Sequence, residues 1–260
     1  IMDPEVPPPL FRIDLEKKQA VKMSGVEMVM SPFDEQAVEA AVQLKEAHET
    51  PEEVSVILFS LGTPDAKDML KHGLSMGADQ AVLISSADFD VSDSFSTAAV
   101  LVTAIKNVCQ PDLILTGRQA ADFDIGVVGI GIGELFNWPI ISWAKALSTQ
   151  SDSVTVERVL SDGSDTVKCN LPAVVSIANE FGVPRKPSLR ETMKSARKPL
   201  MELKKEVLHQ DLSVRDHLPK QATVDLFVPE RINNCQMIEG VSPSEIAANL
   251  VLEIKATKLI

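Results

Sequence analysis

Apolar runs alternate with helix-start signals through the first two thirds of the chain, and this order of elements limits the folds that it can adopt. The run at 54–61 is nearly all apolar, as expected of a parallel strand covered on both faces. It stops at Gly62-Thr63-Pro64, where a capping residue followed by proline predicts a helix. Further strands are predicted at 80–84 and 112–116, and helices at 64–76 and 94–108. This alternation predicts an α/β fold with a three-layer, mostly parallel doubly wound sheet that binds its ligand at the carboxyl ends of the strands.

The strand at 112–116 runs through a polar loop into a segment rich in glycine. The loop covers 117–124, and the glycines that follow stand where a helix should begin: Gly126, Gly129, Gly131 and Gly133. Backbone N–H groups point outward at such a helix start, and the helix dipole favours an anion there. We interpret this stretch as the first candidate for a nucleotide site. The spacing of the glycines alone fits an alternative equally well, namely that they only let the helix pack closely on a sheet.

Two common phosphate-binding motifs do not fit this loop. A P-loop needs Gly-Lys-Ser/Thr, and no lysine occurs from 107 to 144. A dinucleotide fingerprint places its glycines directly after the strand, whereas here the polar loop intervenes. Because carboxylates repel a phosphate, we expect Asp122 and Asp124 to cap backbone N–H groups or to hold Arg118.

Helix-start and strand signals predict the remaining elements. In Ser31-Pro32-Phe33-Asp34, serine is a good N-cap, proline is favoured at the first helical position, and the acid completes a capping box worth roughly 1 kcal/mol. The helix is predicted at 32–47. Two β-hairpins are predicted at 10–23 and 154–169, an extended segment at 140–146 and a buried strand at 171–177.

The composition of the sequence changes after the last predicted strand. A segment rich in proline and cations, 184–198, precedes a polar tract that could not bury enough apolar surface to fold alone. We predict an α/β nucleotide-binding domain at 1–198 and, at 199–260, an extended C-terminal arm ending in a helix that packs on another protein. The capping signature Ser242-Pro243-Ser244-Glu245 predicts that final helix, to about Lys258.

Charge and cysteine content exclude several classes of partner. The net charge of −12 argues against nucleic acid or an anionic membrane as the main partner, because both would be repelled. No apolar run approaches the ~20 residues of a membrane helix, so no membrane insertion is expected. Cys109, Cys169 and Cys235 are far apart, so we predict neither a disulfide framework nor a metal site, and a reducing compartment fits.

Side chains for acid–base or nucleophilic catalysis are scarce. No Ser-His-Asp or Cys-His arrangement can be argued from four scattered histidines. Trp138 and Trp143 are expected to fill the core. We predict no self-contained catalytic residue, and a nucleotide pocket without an acid–base pair fits a carrier better than a self-sufficient enzyme.

Four motifs follow one another across nearly the whole chain. They are Ser31-Pro32-Phe33-Asp34-Glu35 with the alanine-rich run 37–41, Ser75-Met76-Gly77-Ala78-Asp79, Gly117-Arg118-Gln119-Ala120 with Asp122 and Asp124, and Leu171-Pro172-Ala173-Val174-Val175 followed by Pro184-Arg185. In this order they resemble the small (β) subunit of electron transfer flavoproteins. The resemblance implies electron transport between acyl-CoA dehydrogenases and a downstream acceptor, in a heterodimer with a large (alpha) subunit.

The resemblance also implies the cofactors. FAD would be carried mainly by the large subunit, with an adenine nucleotide buried in this chain. That nucleotide is AMP in the conventional group, whereas in the electron-bifurcating group a second, NADH-oxidising FAD takes its place. The implied cofactor-binding residues are Ser31, Pro32, Phe33, Asp34, Leu61, Gly117, Arg118, Gln119, Ala120, Asp122, Asp124, Ile125, Gly126, Val127 and Val128. A weaker alternative is a homodimeric nucleotide-binding sensor without flavin.

A partner-recognition loop is implied at 184–198. Leu189 would be its apolar anchor, with Lys194 and Arg197 nearby, and it would dock a flavin dehydrogenase. The alternative is that Leu189 packs on its own domain while the cations form a solvated face. The compartment implied is a bacterial or archaeal cytoplasm, or the mitochondrial matrix in a eukaryote.

Three departures from the family pattern bear on the nucleotide. The match starts at Ile1, and the family's first strand, which normally lines the pocket, has no counterpart in this sequence. The stretch 125–129 replaces the usual Thr-Ala-Gln-Val-Gly and loses a hydroxyl and an amide, so phosphate binding would depend on backbone N–H groups. Ser31 replaces the usual asparagine and keeps the cap.

Overall fold

The structure, a computed structural model, describes residues 12–21, 29–89, 92–120, 124–208, 219–228 and 235–257. The chain divides into two compact units, Ile1–Val224 and Asp225–Ile260. The first contains the sheets and the helices that cover them, and the second contains the last helix.

Strands and helices alternate in the first unit as predicted. The strands are β1 Ile13–Asp14, β2 Gln19–Ala20, β3 Ile57–Gly62, β4 Gln80–Ser85, β5 Leu113–Gly117, β6 Ile140–Gln150, β7 Ser153–Leu160, β8 Gly163–Asn170, β9 Ala173–Ile177 and β10 Leu200–Leu203. The helices are α1 Pro32–Ala47, α2 Ala66–Met76, α3 Ser94–Val108, α4 Val128–Phe136, α5 Leu189–Ser195, α6 Lys205–Leu208 and, in the second unit, α7 Pro243–Ala256.

The strands of the described residues form two larger sheets and one small hairpin. One sheet has the order β10-β4-β3 and is parallel throughout. The other has the order β5-β9-β6-β7-β8, with parallel pairing from β5 to β6 and antiparallel pairing from β6 to β8. The hairpin of β1 and β2 is antiparallel. The predicted α/β class with two β-hairpins is therefore confirmed.

Helices cover both faces of the larger sheet, which gives the predicted three layers. Leu113 and Leu115 of β5 pack in one cluster with Ala37 and Ala40 of α1. The residue between them, Ile114, packs in a second cluster with residues of α3 and α4. Successive side chains of a strand point to opposite faces, so α1 lies on one side of the sheet and α3 and α4 lie on the other.

The most apolar predicted strand is not the most buried one. We expected 54–61 to be covered on both faces, but every residue of β3 except Gly62 is half-buried. The next strand, β4, has four consecutive buried residues at 81–84. The reason is position, because β4 lies between two strands whereas β3 is paired on one side only within the described residues.

Several element boundaries differ from the prediction. The sequence predicted a helix at 125–136, but α4 begins three residues later, at Val128. The sequence predicted a five-residue turn at 161–165, but the turn between β7 and β8 contains only two residues, because β8 begins earlier than predicted, at Gly163. The strand β10 lies in the stretch that we assigned to the arm. The proposal that this arm packs on a partner subunit stays a prediction.

The second unit contains α7. Its N-cap is Ser242, whose side chain accepts a hydrogen bond from the backbone N–H of Glu245, so the predicted capping signature is confirmed. None of the described residues of α7 is buried, and Leu252 is among its exposed apolar side chains. None of the helices in the described part of the chain has both the length and the apolar character needed to cross a membrane.

Candidate nucleotide site and docking segment

The start of α1 lies directly against the carboxyl end of β5. A Cβ atom placed on Gly117 would lie 2.7 Å from Asp34 Oδ1 and 2.9 Å from the carbonyl carbon of Phe33. Glycine is therefore required at 117 for this contact. The structure thus brings together two of the predicted groups, 31–34 and 117–118, that are far apart in the sequence.

Asp34 points toward β5 and does not complete a capping box. Burial raises the pKa of the Asp34 carboxyl, while a hydrogen bond from the backbone N–H of Gly117 opposes this rise. Ser31 is the N-cap of α1, as predicted, but its side chain makes no cap hydrogen bond. The predicted capping box is wrong in this respect, because the Asp34 side chain interacts with Gly117 of strand β5.

Two buried hydroxyl groups at this edge have no hydrogen-bond partner among the described residues. They are Ser31 Oγ and Thr116 Oγ1. A buried polar group without a partner is costly, so such groups point to a missing ligand or water. Thr116 lies against the start of α4, since a Cβ on Gly129 would be 2.6 Å from Thr116 Oγ1. The glycine therefore allows α4 to begin in contact with the end of β5.

The first turn of α4 offers backbone donors. Its N-cap residue, Val127, provides no side-chain hydrogen bond. The first N–H groups of a helix have no partner within the helix, so a helix start without a cap can bind an anion. Together with the two buried hydroxyls, this arrangement fits the phosphate or ribose of a nucleotide.

The loop before α4 is closed by its own hydrogen bonds. The N–H of Ala120 donates to the carbonyl of Ile125 over 2.9 Å. The side-chain amide of Gln119 donates to Asp124 and accepts from Arg118 Nε. Asp124 is thus linked to Arg118 through Gln119. Asp122 lies outside the described residues.

Arg118 lies close to two aromatic rings at the same edge. Its guanidinium carbon is 5.5 Å from the centre of the Phe33 ring and 5.6 Å from that of Trp143. We expected Trp143 in the core, but its exposed fraction is 47% and its φ angle is 66°. The register of β6 shifts between Ile141 and Ala144, and such bulges turn a side chain away from the regular pleat. Trp138 does pack against core residues, stacked on Phe136 at 4.3 Å.

The other predicted contacts differ in exposure. Leu61 is half-buried and packs against core residues of the first sheet. Ile125, Gly126 and Val127 are exposed, as is Ala120. A Cβ on Gly126 would lie 2.9 Å from the carbonyl oxygen of Arg118, so this position also requires glycine. Whether these residues contact a nucleotide stays a prediction.

The predicted partner loop, residues 184–198, is here called the docking segment. It contains α5, whose N-cap Ser188 accepts a hydrogen bond from the N–H of Glu191. Leu189 is 79% exposed and Met193 is 69% exposed. Lys194 forms an ion pair with Glu191 at 2.9 Å. The packing of Leu189 on its own domain, which was the alternative reading, is not observed in the described part of the chain.

The described residues contain no cluster of three metal-ligating side chains. Burial raises the pKa of the Cys109 and Cys169 thiols, which disfavours a nucleophilic thiolate. His72 lies 3.1 Å from a carboxylate oxygen of Glu35. The edge formed by Arg118, the rings of Phe33 and Trp143, and the start of α4 can hold an anionic, aromatic ligand.

Residues 20–208 match the family described as the Electron transfer flavoprotein domain. The chain is 35% identical to the electron transfer flavoprotein subunit beta of Megasphaera elsdenii over 72% of its own length and 70% of that protein. It is 34% identical to the subunit of the same name from Bacillus subtilis, covering 89% and 87%. It is also 30% identical to the caffeyl-CoA reductase-Etf complex subunit CarD of Acetobacterium woodii, covering 91% and 89%.

Proposed function

The chain belongs to the electron transfer flavoprotein family, and from this premise we propose that it is the small (β) subunit of a heterodimer that carries electrons through FAD. Its relatives named as subunit beta match it over most of their length. That name implies a large (alpha) subunit as the partner. The described residues provide an edge with a cation, two aromatic rings and buried hydroxyls, which supports a carrier whose redox chemistry is supplied by the flavin when it is bound.

The observation that carries the nucleotide part of the proposal is the pair of buried hydroxyls, Ser31 and Thr116, beside a helix start without a side-chain cap. In the proposal these hydroxyls and the backbone N–H groups of Val128 and Gly129 donate to the phosphate or ribose of an adenine nucleotide. Arg118 contributes positive charge at the same edge, and Phe33 and Trp143 contribute apolar ring surface. The nucleotide is AMP in this first proposal.

The second part of the proposed function concerns the docking segment. Leu189 and Met193 lie four residues apart on α5, so they share one face of the helix. Both are exposed, and an exposed apolar pair flanked by the cations Lys194 and Arg197 suits a pocket with an acidic rim. We propose that a flavin dehydrogenase binds this face during electron exchange.

A second candidate function is supported by two relatives. One is the reductase-complex subunit from Acetobacterium woodii, and the other is the acryloyl-CoA reductase electron transfer subunit gamma of Anaerotignum propionicum, which is 31% identical over 78% of this chain and 76% of that protein. In this alternative the chain belongs to an electron-bifurcating complex, and its own site holds a second FAD that oxidises NADH.

Identification of the released nucleotide separates the two candidates. The heterodimer is purified without added nucleotide, denatured, and its released nucleotides are quantified by chromatography and mass spectrometry. One AMP and one FAD per heterodimer supports the first candidate and overturns the second, whereas two FAD does the opposite. A flavin-free homodimer of this chain would overturn both and favour the nucleotide-binding sensor.

A matched pair of variants tests the location of the site. Gly126→Val places side-chain atoms against the Arg118 carbonyl, so the variant should retain less nucleotide than the wild type. Gly182→Ala is the control for the loss of a glycine away from the site. Its φ of 125° favours glycine, but a Cβ there meets no atom within 4 Å, so nucleotide retention should not change. Full nucleotide retention by Gly126→Val would show that the site lies elsewhere.

A further inference from the structure

A polar stripe on α1 faces the start of the docking segment. Gln36, Glu39, Gln43 and Glu46 are spaced by three and four residues, so they lie along one side of the helix. Gln36 Nε2 donates to the carbonyl oxygens of Asn179 and Gly182, over 3.0 and 3.2 Å. The stripe therefore binds the backbone that leads into the docking segment.

Arg185 joins this stripe at two points. Its Nε and one terminal nitrogen donate to Glu39 over 2.8 and 3.1 Å, and its backbone N–H donates to the same carboxylate over 3.0 Å. The terminal nitrogens also donate to Glu46 over 2.6 and 2.8 Å. The Glu39 side chain is only 6% exposed, so it is an unusual location for a carboxylate without a structural role.

Lys198 fixes the other end of the docking segment. Its Nζ donates to the carbonyl oxygens of Leu74 and Ala78, over 2.9 and 2.6 Å. These carbonyls lie at the end of α2, where a helix has unsatisfied acceptors and a negative dipole end. Lys198 thus links the end of the docking segment to the C-terminal end of α2.

The helix between these two residues is short. At seven residues α5 would be marginal in isolation, because helix nucleation is costly. It packs against α2, and within it Ser195 is buried while Leu189 and Met193 face outward. The restraints at Arg185 and Lys198 therefore account for an ordered helix whose apolar residues are exposed.

We propose that Arg185 and Lys198 are positioning residues that hold the two ends of the docking segment, so that α5 presents Leu189 and Met193 to a dehydrogenase in a preordered form. Preordering lowers the entropy lost on binding, so it should strengthen docking without altering the electron-transfer step. This inference rests on the docking part of the proposed function.

Hydrogen exchange measures the positioning directly. The heterodimer with its native large subunit is compared with the variants Arg185→Gln and Lys198→Met, and exchange of the α5 amides is followed by mass spectrometry. Each variant should exchange these amides about tenfold faster or more, which corresponds to 1.4 kcal/mol or more of lost local stability. Unchanged exchange in both variants would overturn the proposal.

Arg158→Gln is the matched control. Arg158 also donates to a carboxylate, Asp165, at 2.8 Å, and its side chain is 37% exposed against 33% for Arg185. It lies on β7, away from the docking segment in sequence and in its contacts. Its loss should leave α5 exchange unchanged. Exchange in α3, which Arg185 and Lys198 do not contact, and the flavin content confirm that each variant is folded.

The rate of electron exchange with a purified flavin dehydrogenase measures how preordering of α5 affects docking. Arg185→Gln should raise the KM for the flavoprotein about fivefold or more and leave kcat unchanged, and Arg185→Lys should fall between, since one ammonium cannot replace a guanidinium fork. A higher KM without faster α5 exchange would overturn positioning and indicate direct contact with the dehydrogenase. Faster exchange with an unchanged KM would overturn presentation.

Leu189→Ala separates this inference from the proposed function. If Leu189→Ala leaves the KM unchanged, the docking part of the proposed function fails, whatever Arg185 does. If Leu189→Ala raises the KM while the Arg185 and Lys198 variants do not, docking stands and the positioning inference fails. The nucleotide part is tested by its own experiment and is independent of both outcomes.

Discussion

Trp143 combines a strained backbone with an exposed aromatic ring. Its φ angle of 66° is unfavourable for a residue with a side chain, and the conformation is held in part by a hydrogen bond from its N–H to Ser176 Oγ. Residues in such conformations cluster at functional sites. Because its ring lies beside Arg118 at the carboxyl edge, Trp143 belongs with the candidate nucleotide site.

Tryptophan fluorescence tests this placement. The chain has two tryptophans, and Trp138 is packed against the core. When AMP is added to heterodimer depleted of nucleotide, Trp143 emission should change, because the environment of its ring changes. Trp138→Phe should keep this response and Trp143→Phe should lose it. A response that persists in Trp143→Phe would place the ring outside the site.

The exposed position of the Trp143 ring could not be predicted from the sequence. An aromatic residue in an apolar run is usually a core residue, and only the register shift in β6 turns it outward. A bulge depends on pairing with β9, which is a contact between distant parts of the chain. The glycines were predictable as a group, but the atoms that they meet, such as Thr116 Oγ1 at Gly129, were not.

Helix starts with the same sequence signature differ in how they are capped. Ser188 and Ser242 accept hydrogen bonds from the backbone N–H groups of Glu191 and Glu245. The helix α3 is capped by Asp93, which accepts from the N–H of Ser96 at 2.8 Å. At α1 the serine hydroxyl makes no such bond. The helix boundaries follow from local propensity, whereas the use of each side chain depends on the strand that the helix meets.

Ser31→Ala should therefore behave differently from Asp93→Ala. Loss of the Asp93 cap should lower the free energy of unfolding by about 1 kcal/mol. Ser31→Ala should leave it nearly unchanged, since the lost hydroxyl has no partner in the described structure, but should reduce nucleotide retention. Denaturant unfolding and nucleotide content measure the two effects. Equal destabilisation by both variants, with unchanged retention, would contradict a ligand-binding role for Ser31.

The order of strands and helices up to β9 was predictable because these elements carry local signals, whereas β10 and α6 were not predicted. The periodic apolar residues of α1 and α3 gave their bounds as Pro32–Ala47 and Ser94–Val108. The sequence could not show that the strand in 54–61 is paired on one side only within the described residues, since pairing depends on the whole sheet. The ion pair of Arg185 with Glu39 was equally hidden, as it joins residues 146 positions apart.

The carboxylates of the first unit give it a defined response to acid. Burial alone would raise the pKa of Glu39, but hydrogen bonds from Arg185 and Gln43 bring it below the ordinary 4.5. Hydrogen bonds from Arg185 likewise lower the pKa of Glu46. A lowered carboxylate pKa adds stability that is present above the unfolded value and is lost as the pH falls through the folded one. Asp34, with its raised pKa, acts in the opposite direction.

Glu39→Gln tests this response. At pH 7 the variant should lose about 1–3 kcal/mol of stability, because Arg185 keeps its charge and loses a buried partner. Below pH 4.5 its stability should fall less steeply than that of the wild type, since it lacks the titrating group. Thermal unfolding over a pH series measures both, with Glu52→Gln at an exposed position as the control. Parallel curves for wild type and Glu39→Gln would contradict the assignment.

The helix α1 begins at the candidate nucleotide site and carries the stripe that binds Arg185. A helix rises 1.5 Å per residue, so Glu39 and Glu46 lie about 12 and 22 Å along its axis from Ser31. Helices are stiff over this length. One rigid helix therefore separates the proposed nucleotide edge from the Arg185 anchor of the proposed docking segment by about 12–22 Å, so a change at one end of α1 would be transmitted to the other without passing through a loop.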